Sequence, residues 1–221
     1  MANTLSDGRM THLTRRSALA LPLAALAAPA LAQSAALSPA DRQLLAQASA
    51  YLQGLTEAKA RFVQTDARGA TSQGALLLKR PGKARFAYDA PSGMLVVSDG
   101  TMVSVADSRL KTFEAYPLHQ TPLSLFLARQ IRLDQGVDVV RVSRLQGGFA
   151  ITARDGRKQT PGTITLNFTD NPVSLLGWNA ADAQGRVTRV RLVGLQKTSG
   201  LPAAQFVLRD PRPKGTGRGK M

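Results

Sequence analysis

The sequence predicts a mainly β (α+β) fold, with one antiparallel sheet system, sandwich or barrel, carrying two helices. Three observations predict it. Apolar residues alternate with period two along a succession of short segments from residue 58 onward. Turn dipeptides such as Asp99-Gly100, Asp155-Gly156 and Gln184-Gly185 separate those segments. Helix-start signals interrupt the rhythm only at Ser38-Pro39 and Thr121-Pro122. No βαβ alternation occurs, which argues against a doubly wound nucleotide-binding fold.

Residues 1–32 read as a cleaved export signal. Arg9, Arg15 and Arg16 precede the apolar run Ala18–Leu31, and Ala30-Leu31-Ala32 has the small-x-small cleavage pattern. The run falls short of the ~20 residues that cross a bilayer, and Pro22 and Pro29 interrupt it. Thr14-Arg15-Arg16-Ser17 is also compatible with a twin-arginine signal. Cleavage after Ala32 leaves a single expected domain over 33–210 and a basic, Gly- and Pro-rich flexible tail over 211–221.

The first helix starts at Ser38, whose hydroxyl can cap, with Pro39 in the first turn and Asp41 three residues on. Leu44, Leu45, Ala48, Tyr51, Leu52 and Leu55 then form one apolar stripe, which Gly54 ends. Strands follow at Ala60–Gln64, Leu76–Arg80, Ala84–Tyr88, Met94–Ser98, Thr101–Ala106 and Leu110–Tyr116. The short helix Thr121–Ala128 is apolar nearly all round, so it either plugs one end of the sheet or lids a cavity. The remaining expected strands are Val137–Leu145, Phe149–Ala153, Thr163–Thr169, Ser174–Asn179, Arg186–Leu195 and Ala204–Arg209.

Composition removes much chemistry. The 221 residues include no Cys and two His, so disulfides, thiolate nucleophiles, iron–sulfur clusters and His-rich metal sites are not expected. His119 sits in a loop with no nucleophile elbow beside it, and Asp134 and Asp138 make a poor metal pair. No catalytic residue, metal or cofactor is therefore expected, although spatially assembled acids would keep a hydrolase open. The net charge of +15 attracts anionic surfaces. Sparse aromatics argue against nucleic acid, which stacks bases on rings.

The stretch Gly74–Pro91, with Lys79-Arg80-Pro81 ahead of the aromatic strand Phe86-Ala87-Tyr88, and the hairpin Val96-Val97-Ser98-Asp99-Gly100 resemble the periplasmic outer-membrane lipoprotein carrier family. Phe62-Val63-Gln64, Tyr116-Pro117-Leu118, Thr121–Leu125 and Ala203-Ala204-Gln205-Phe206 fall in matching order, so the resemblance covers about residues 40–210. It implies an incomplete antiparallel β-barrel with a helical lid, in the periplasm. The family's cavity takes lipoprotein acyl chains released by an ATP-driven inner-membrane complex and carries them toward the outer membrane, where some bacteria have a receptor.

On this resemblance Arg80 gates the lid by gripping helix backbone. Phe62, Leu76, Leu78, Phe86, Tyr88 and Val96 are expected to line the cavity. Leu44, Leu45, Leu52, Leu125 and Phe126 would supply the lid. The expected partners are acylated lipoproteins, the release complex and, where present, the receptor, with the carrier a monomer. Ala84 stands where relatives often have Phe, and Val103–Ala106 lacks that strand's usual aromatics, which makes the expected wall more aliphatic. Two alternatives stay open: a carrier or sensor of another lipid, and a basic envelope protein coating anionic surfaces.

Overall fold

The computed structural model describes residues 37–121, 123–131, 133, 137–156 and 161–210. The expected export signal, the tail and the Leu125 side chain lie outside the described residues. Helix α1 spans Pro39–Gln53 and opens on a complete capping box, in which the Ser38 hydroxyl accepts from the Asp41 amide and the Asp41 carboxylate accepts from the Ser38 amide. The Gly54 amide donates to the Ala50 carbonyl at its end. Leu44, Leu45, Ala48 and Leu52 are buried along one stripe, as the spacing requires.

Eleven strands follow: β1 Glu57–Thr65, β2 Thr71–Lys79, β3 Lys83–Tyr88, β4 Met94–Asp99, β5 Met102–Asp107, β6 Thr112–Pro117, β7 Val137–Leu145, β8 Gly148–Asp155, β9 Thr163–Asp170, β10 Val173–Ala181 and β11 Val187–Lys197. A 3-10 turn at Leu118–Gln120 and helix α2 at Leu123–Leu127 lie between β6 and β7. The strands form one antiparallel sheet in the order β6-β5-β4-β3-β2-β1-β11-β10-β9-β8-β7. Every neighbour is a hairpin partner except β1 and β11, which join the two halves of the meander. Among the described residues β6 and β7 remain edges, so the sheet is open, and the segment bearing α2 runs between those edges.

Ring contacts reveal the curl of this sheet. Phe86 on β3 and Trp178 on β10 stand four strands apart, about 19 Å on a flat sheet. Their ring centroids are 6.1 Å apart. The inner face therefore folds toward itself, and its buried residues join those of α1 and α2 in one core cluster. Gly74 on β2 makes room within it: a Cβ there would lie 2.8 Å from the Phe62 ring and 2.2 Å from the Ala87 carbonyl oxygen.

One expected strand is absent. Residues 204–209 are not paired into the sheet; Ala203–Phe206 is a 3-10 turn that follows Pro202, whose carbonyl accepts the Gln205 amide, with Phe206 buried. This turn packs on β3 and β4. Its approach is fixed by Glu57, whose carboxylate accepts the Leu201 amide at 2.8 Å, while Lys79 donates to the Leu201 carbonyl at 2.8 Å. Alternation in so short a segment cannot distinguish a strand from a turn that buries one aromatic.

Candidate functional site

The apolar inner face is organised by rings. Phe62 on β1 meets Phe86 edge-on at 5.5 Å and Tyr88 at 4.9 Å. Phe86 meets Trp178, and Trp178 stacks on Phe126 of α2 at 5.7 Å. On the other side Tyr51 of α1 meets Phe168 of β9 edge-on, and Phe168 stacks on Phe149 of β8. Each helix thus seats an aromatic side chain on the sheet, with edge-to-face or offset stacking that favours specific placement.

Phe62, Leu76, Leu78 and Phe86 are buried on this face, and Tyr88 and Val96 are half-buried against the same cluster. Phe86 and Val96 are directly opposite one another in the β3–β4 register. Leu44, Leu45, Leu52 and Phe126 are buried in that cluster from the helix side. The Tyr88 hydroxyl donates to Gln64 Oε1 at 2.8 Å, and burial pushes its pKa up. In this arrangement the helices' own side chains occupy the space over the sheet.

Arg80 lies where β2 ends, and its guanidinium reaches two helix ends at once. Nη1 donates to the Leu52 carbonyl in the last turn of α1, and Nη2 donates to the Ala128 carbonyl, just past α2, at 2.6 Å. Carbonyls at helix C-termini lack intrahelical partners and carry partial negative charge, so a planar cation with several donors suits both. Burial lowers the Arg80 pKa, and its buried Nε has no hydrogen-bond partner. The guanidinium stays protonated at neutral pH. Its charge is met by peptide dipoles alone, because no ion pair involves it among the described residues.

Two further ties accompany it. The Gly82 amide donates to the Leu127 carbonyl at 2.8 Å, fixing the end of α2 to the β2–β3 turn. Gln53, the last residue of α1, donates to the Arg129 carbonyl at 3.3 Å and accepts from the Ile131 amide at 3.1 Å. A cleft of about 430 Å³ runs beside these ties, bordered by Gly82, Thr101, His119, Leu127 and Arg129. No cluster of metal-ligating side chains occurs among the described residues.

Sequence reasoning did not single out Trp178, Gln53, Tyr51, Phe149 or Phe168 for this site. Trp178 escapes the alternation because the β9–β10 register shifts between Leu175 and Gly177, so Leu175 and Trp178 are both buried although an odd spacing separates them. Gln53 reads as a solvated helix end. Its backbone partners lie 76 and 78 residues away.

The family model described as outer membrane lipoprotein carrier protein LolA matches residues 53–209. The chain belongs to this family. As a LolA-family member it is 28% identical over 196 residues to the outer-membrane lipoprotein carrier protein of Chromobacterium violaceum, covering 85% of this chain and 93% of that relative. It is 26% identical over 195 residues to the corresponding carrier of Pseudomonas fluorescens, covering 83% and 92%. A LolA superfamily protein from Nitrosomonas europaea, solved as a crystal structure, is similar at 11% identity with a TM-score of 0.45, covering 76% of this chain and 97% of that one. The matched region contains Arg80, its partner Ala128, Gln53 and every strand, while most of α1 precedes it.

Proposed function

We propose that this protein is a non-catalytic periplasmic carrier that takes the acyl chains of lipoproteins between its inner sheet face and its two helices, and moves them from inner to outer membrane. Residues 1–32 would be the export signal, 33–210 the carrier domain and 211–221 a basic tail. The observation that carries the reading is the grip of Arg80 on both helix ends, above an apolar face, in a LolA-family chain. Phe62, Leu76, Leu78, Phe86, Tyr88 and Val96 are the proposed lining. Leu44, Leu45, Leu52 and Phe126 belong to the lid that Arg80 gates, with Leu125 beside them in sequence.

The energetics suit a shuttle. Each buried methylene contributes about 0.8 kcal/mol, so a chain of about fifteen methylenes is held in a bilayer by about 12 kcal/mol and does not enter water unaided. A carrier must match most of that, yet release its load. Holding the helices closed with charged hydrogen bonds lowers the apparent affinity, since cargo must first replace those bonds. Closed and open arrangements then differ by an amount that cargo can reverse, and the carrier empties when an acceptor takes the chains. Loading against a bilayer needs an energy source, which the ATP-driven inner-membrane release complex would supply; an outer-membrane receptor or the membrane itself would be the acceptor.

Displacement of an apolar fluorophore by a triacylated lipopeptide tests this. Saturable displacement, together with lipoprotein in the mass spectrum of material copurified from envelope extracts, is expected. Absence of displacement from both the wild type and an Arg80→Leu variant overturns the reading. A copurified free lipid with no lipoprotein would replace it with the carrier of another lipid.

A further inference from the structure

We propose that the outer face of the sheet around β10 and β11 is a docking surface for the phosphodiester headgroups of an anionic phospholipid membrane. Arg189 and Arg191 are two residues apart on β11 and project from the same exposed face. Val63 and Thr65 of β1 stand opposite Arg191 and Arg189 on one side; Gly177 and Asn179 of β10 stand opposite them on the other. Position 177 has no side chain, so a hollow of about 370 Å³ opens between the two arginines, Asn167, Asn179 and Leu176. Only glycine keeps it: φ is +150°, and a Cβ would lie 2.0 Å from the Val190 carbonyl oxygen.

The charge of this face is uncompensated. Arg61, Lys79, Arg154 and Arg186 each hold a carboxylate, whereas Arg189, Arg191 and Lys59 have none within reach among the described residues. Leu176 and Val193, 46% and 43% exposed, lie beside the arginines. Guanidinium groups bind phosphate oxygens bidentately, and aliphatic side chains between them rest at the acyl boundary. Paired arginines answer the phosphates of a headgroup layer and the two aliphatics answer the acyl boundary beneath it, so the bilayer is the occupant proposed, and an acidic protein is an outcome the test reads. This inference does not rest on the carrier reading, because attachment to a membrane is read independently of any cargo.

Co-sedimentation of residues 33–221 with vesicles tests it, comparing phosphatidylcholine alone with phosphatidylcholine containing phosphatidylglycerol. Binding only to the anionic vesicles is expected. Substituting Arg189→Gln and Arg191→Gln together should weaken it about 25-fold, from about fivefold per basic residue at the surface. Circular dichroism confirms that the variant folds. The pair Arg141→Gln and Arg144→Gln on β7 removes equal charge elsewhere and should weaken binding far less. Three results would overturn the proposal. One is equal loss in both pairs, which would assign attachment to net charge. Another is binding unchanged in the first pair, which would assign it to the tail, whose Arg212, Lys214, Arg218 and Lys220 remain. The third is retention of an acidic peptide or glycerophosphate with no vesicle binding.

Discussion

Replacing Arg80 by leucine removes the donors that tie both helix ends to the sheet. The Leu52 and Ala128 carbonyls then lose their side-chain partner. A hydrogen bond from a charged donor contributes about 1.5–3 kcal/mol net, and the half-exposed setting places the pair toward the low end, about 2–3 kcal/mol together. That corresponds to a change of about 30- to 150-fold in the closed-to-open ratio. Global stability need not follow, because leucine also removes the desolvated charge and the unpartnered Nε. The effect is thus local. Amide exchange read by mass spectrometry should accelerate by about 30- to 150-fold at the end of α1 and through α2. Exchange in β8 and β9 should stay slow. Arg80→Lys should fall between, since an ammonium lacks the planar fork that spans two carbonyls. Lipoprotein transfer should show release impaired more than loading, because the open state becomes cheap to hold with cargo inside. Unchanged exchange at both helices in Arg80→Leu, or equal effects on loading and release, would refute the latch.

Other substitutions separate the remaining contributions. Phe62→Ala removes a fully buried ring that touches Phe86 and Tyr88, and should lower unfolding free energy by about 3–5 kcal/mol in urea titration. Gln53→Leu should raise exchange at 129–131 with little change in the global midpoint, because its two bonds join only α1 to that segment. Gly177→Ala should destabilise the β10–β11 pairing, since the new methyl meets backbone rather than a movable side chain; a lower melting temperature reads this out. The Glu57 carboxyl is held below its ordinary pKa by the Leu201 amide and then by Lys79. A depressed folded pKa gives stability that is present above the unfolded value and is lost as pH falls through the folded one. Acidification below the carboxylate range should therefore loosen residues 198–206, and Glu57→Gln should flatten that dependence in exchange measured across pH.

Much of the fold was legible because it is locally encoded. The Ser38–Asp41 capping box, the Gly54 stop and the Asp99-Gly100 turn each act within a few residues, and the structure places all three as the sequence implies. Period two located all eleven strands, because most of them bury alternate residues against the core. Pairing of β1 with β11 was not legible, since it joins segments more than a hundred residues apart. Nor was the turn at Ala203–Phe206, whose conformation depends on what Glu57 and Lys79 offer Leu201. At the site, Arg80 was found through its neighbours in sequence, Lys79 and Pro81, rather than through any physical signal of its own. Trp178 and Gln53 were missed for opposite reasons. A bulge moves the first into the core against the expected parity, and the second is a polar residue whose partners come from a distant loop.

Trp178 is the sole tryptophan and lies under Phe126, so its emission reports on the space where acyl chains are proposed to sit. Bromine quenches indole fluorescence only at close range. Titration with a triacylated lipopeptide brominated along its chains should quench Trp178 to saturation at one equivalent, while the unbrominated lipopeptide should bind equally without that quenching. Tight binding of the brominated lipopeptide with Trp178 emission identical to that of the unbrominated complex would contradict the account, because the chains would then lie somewhere other than beneath the helices.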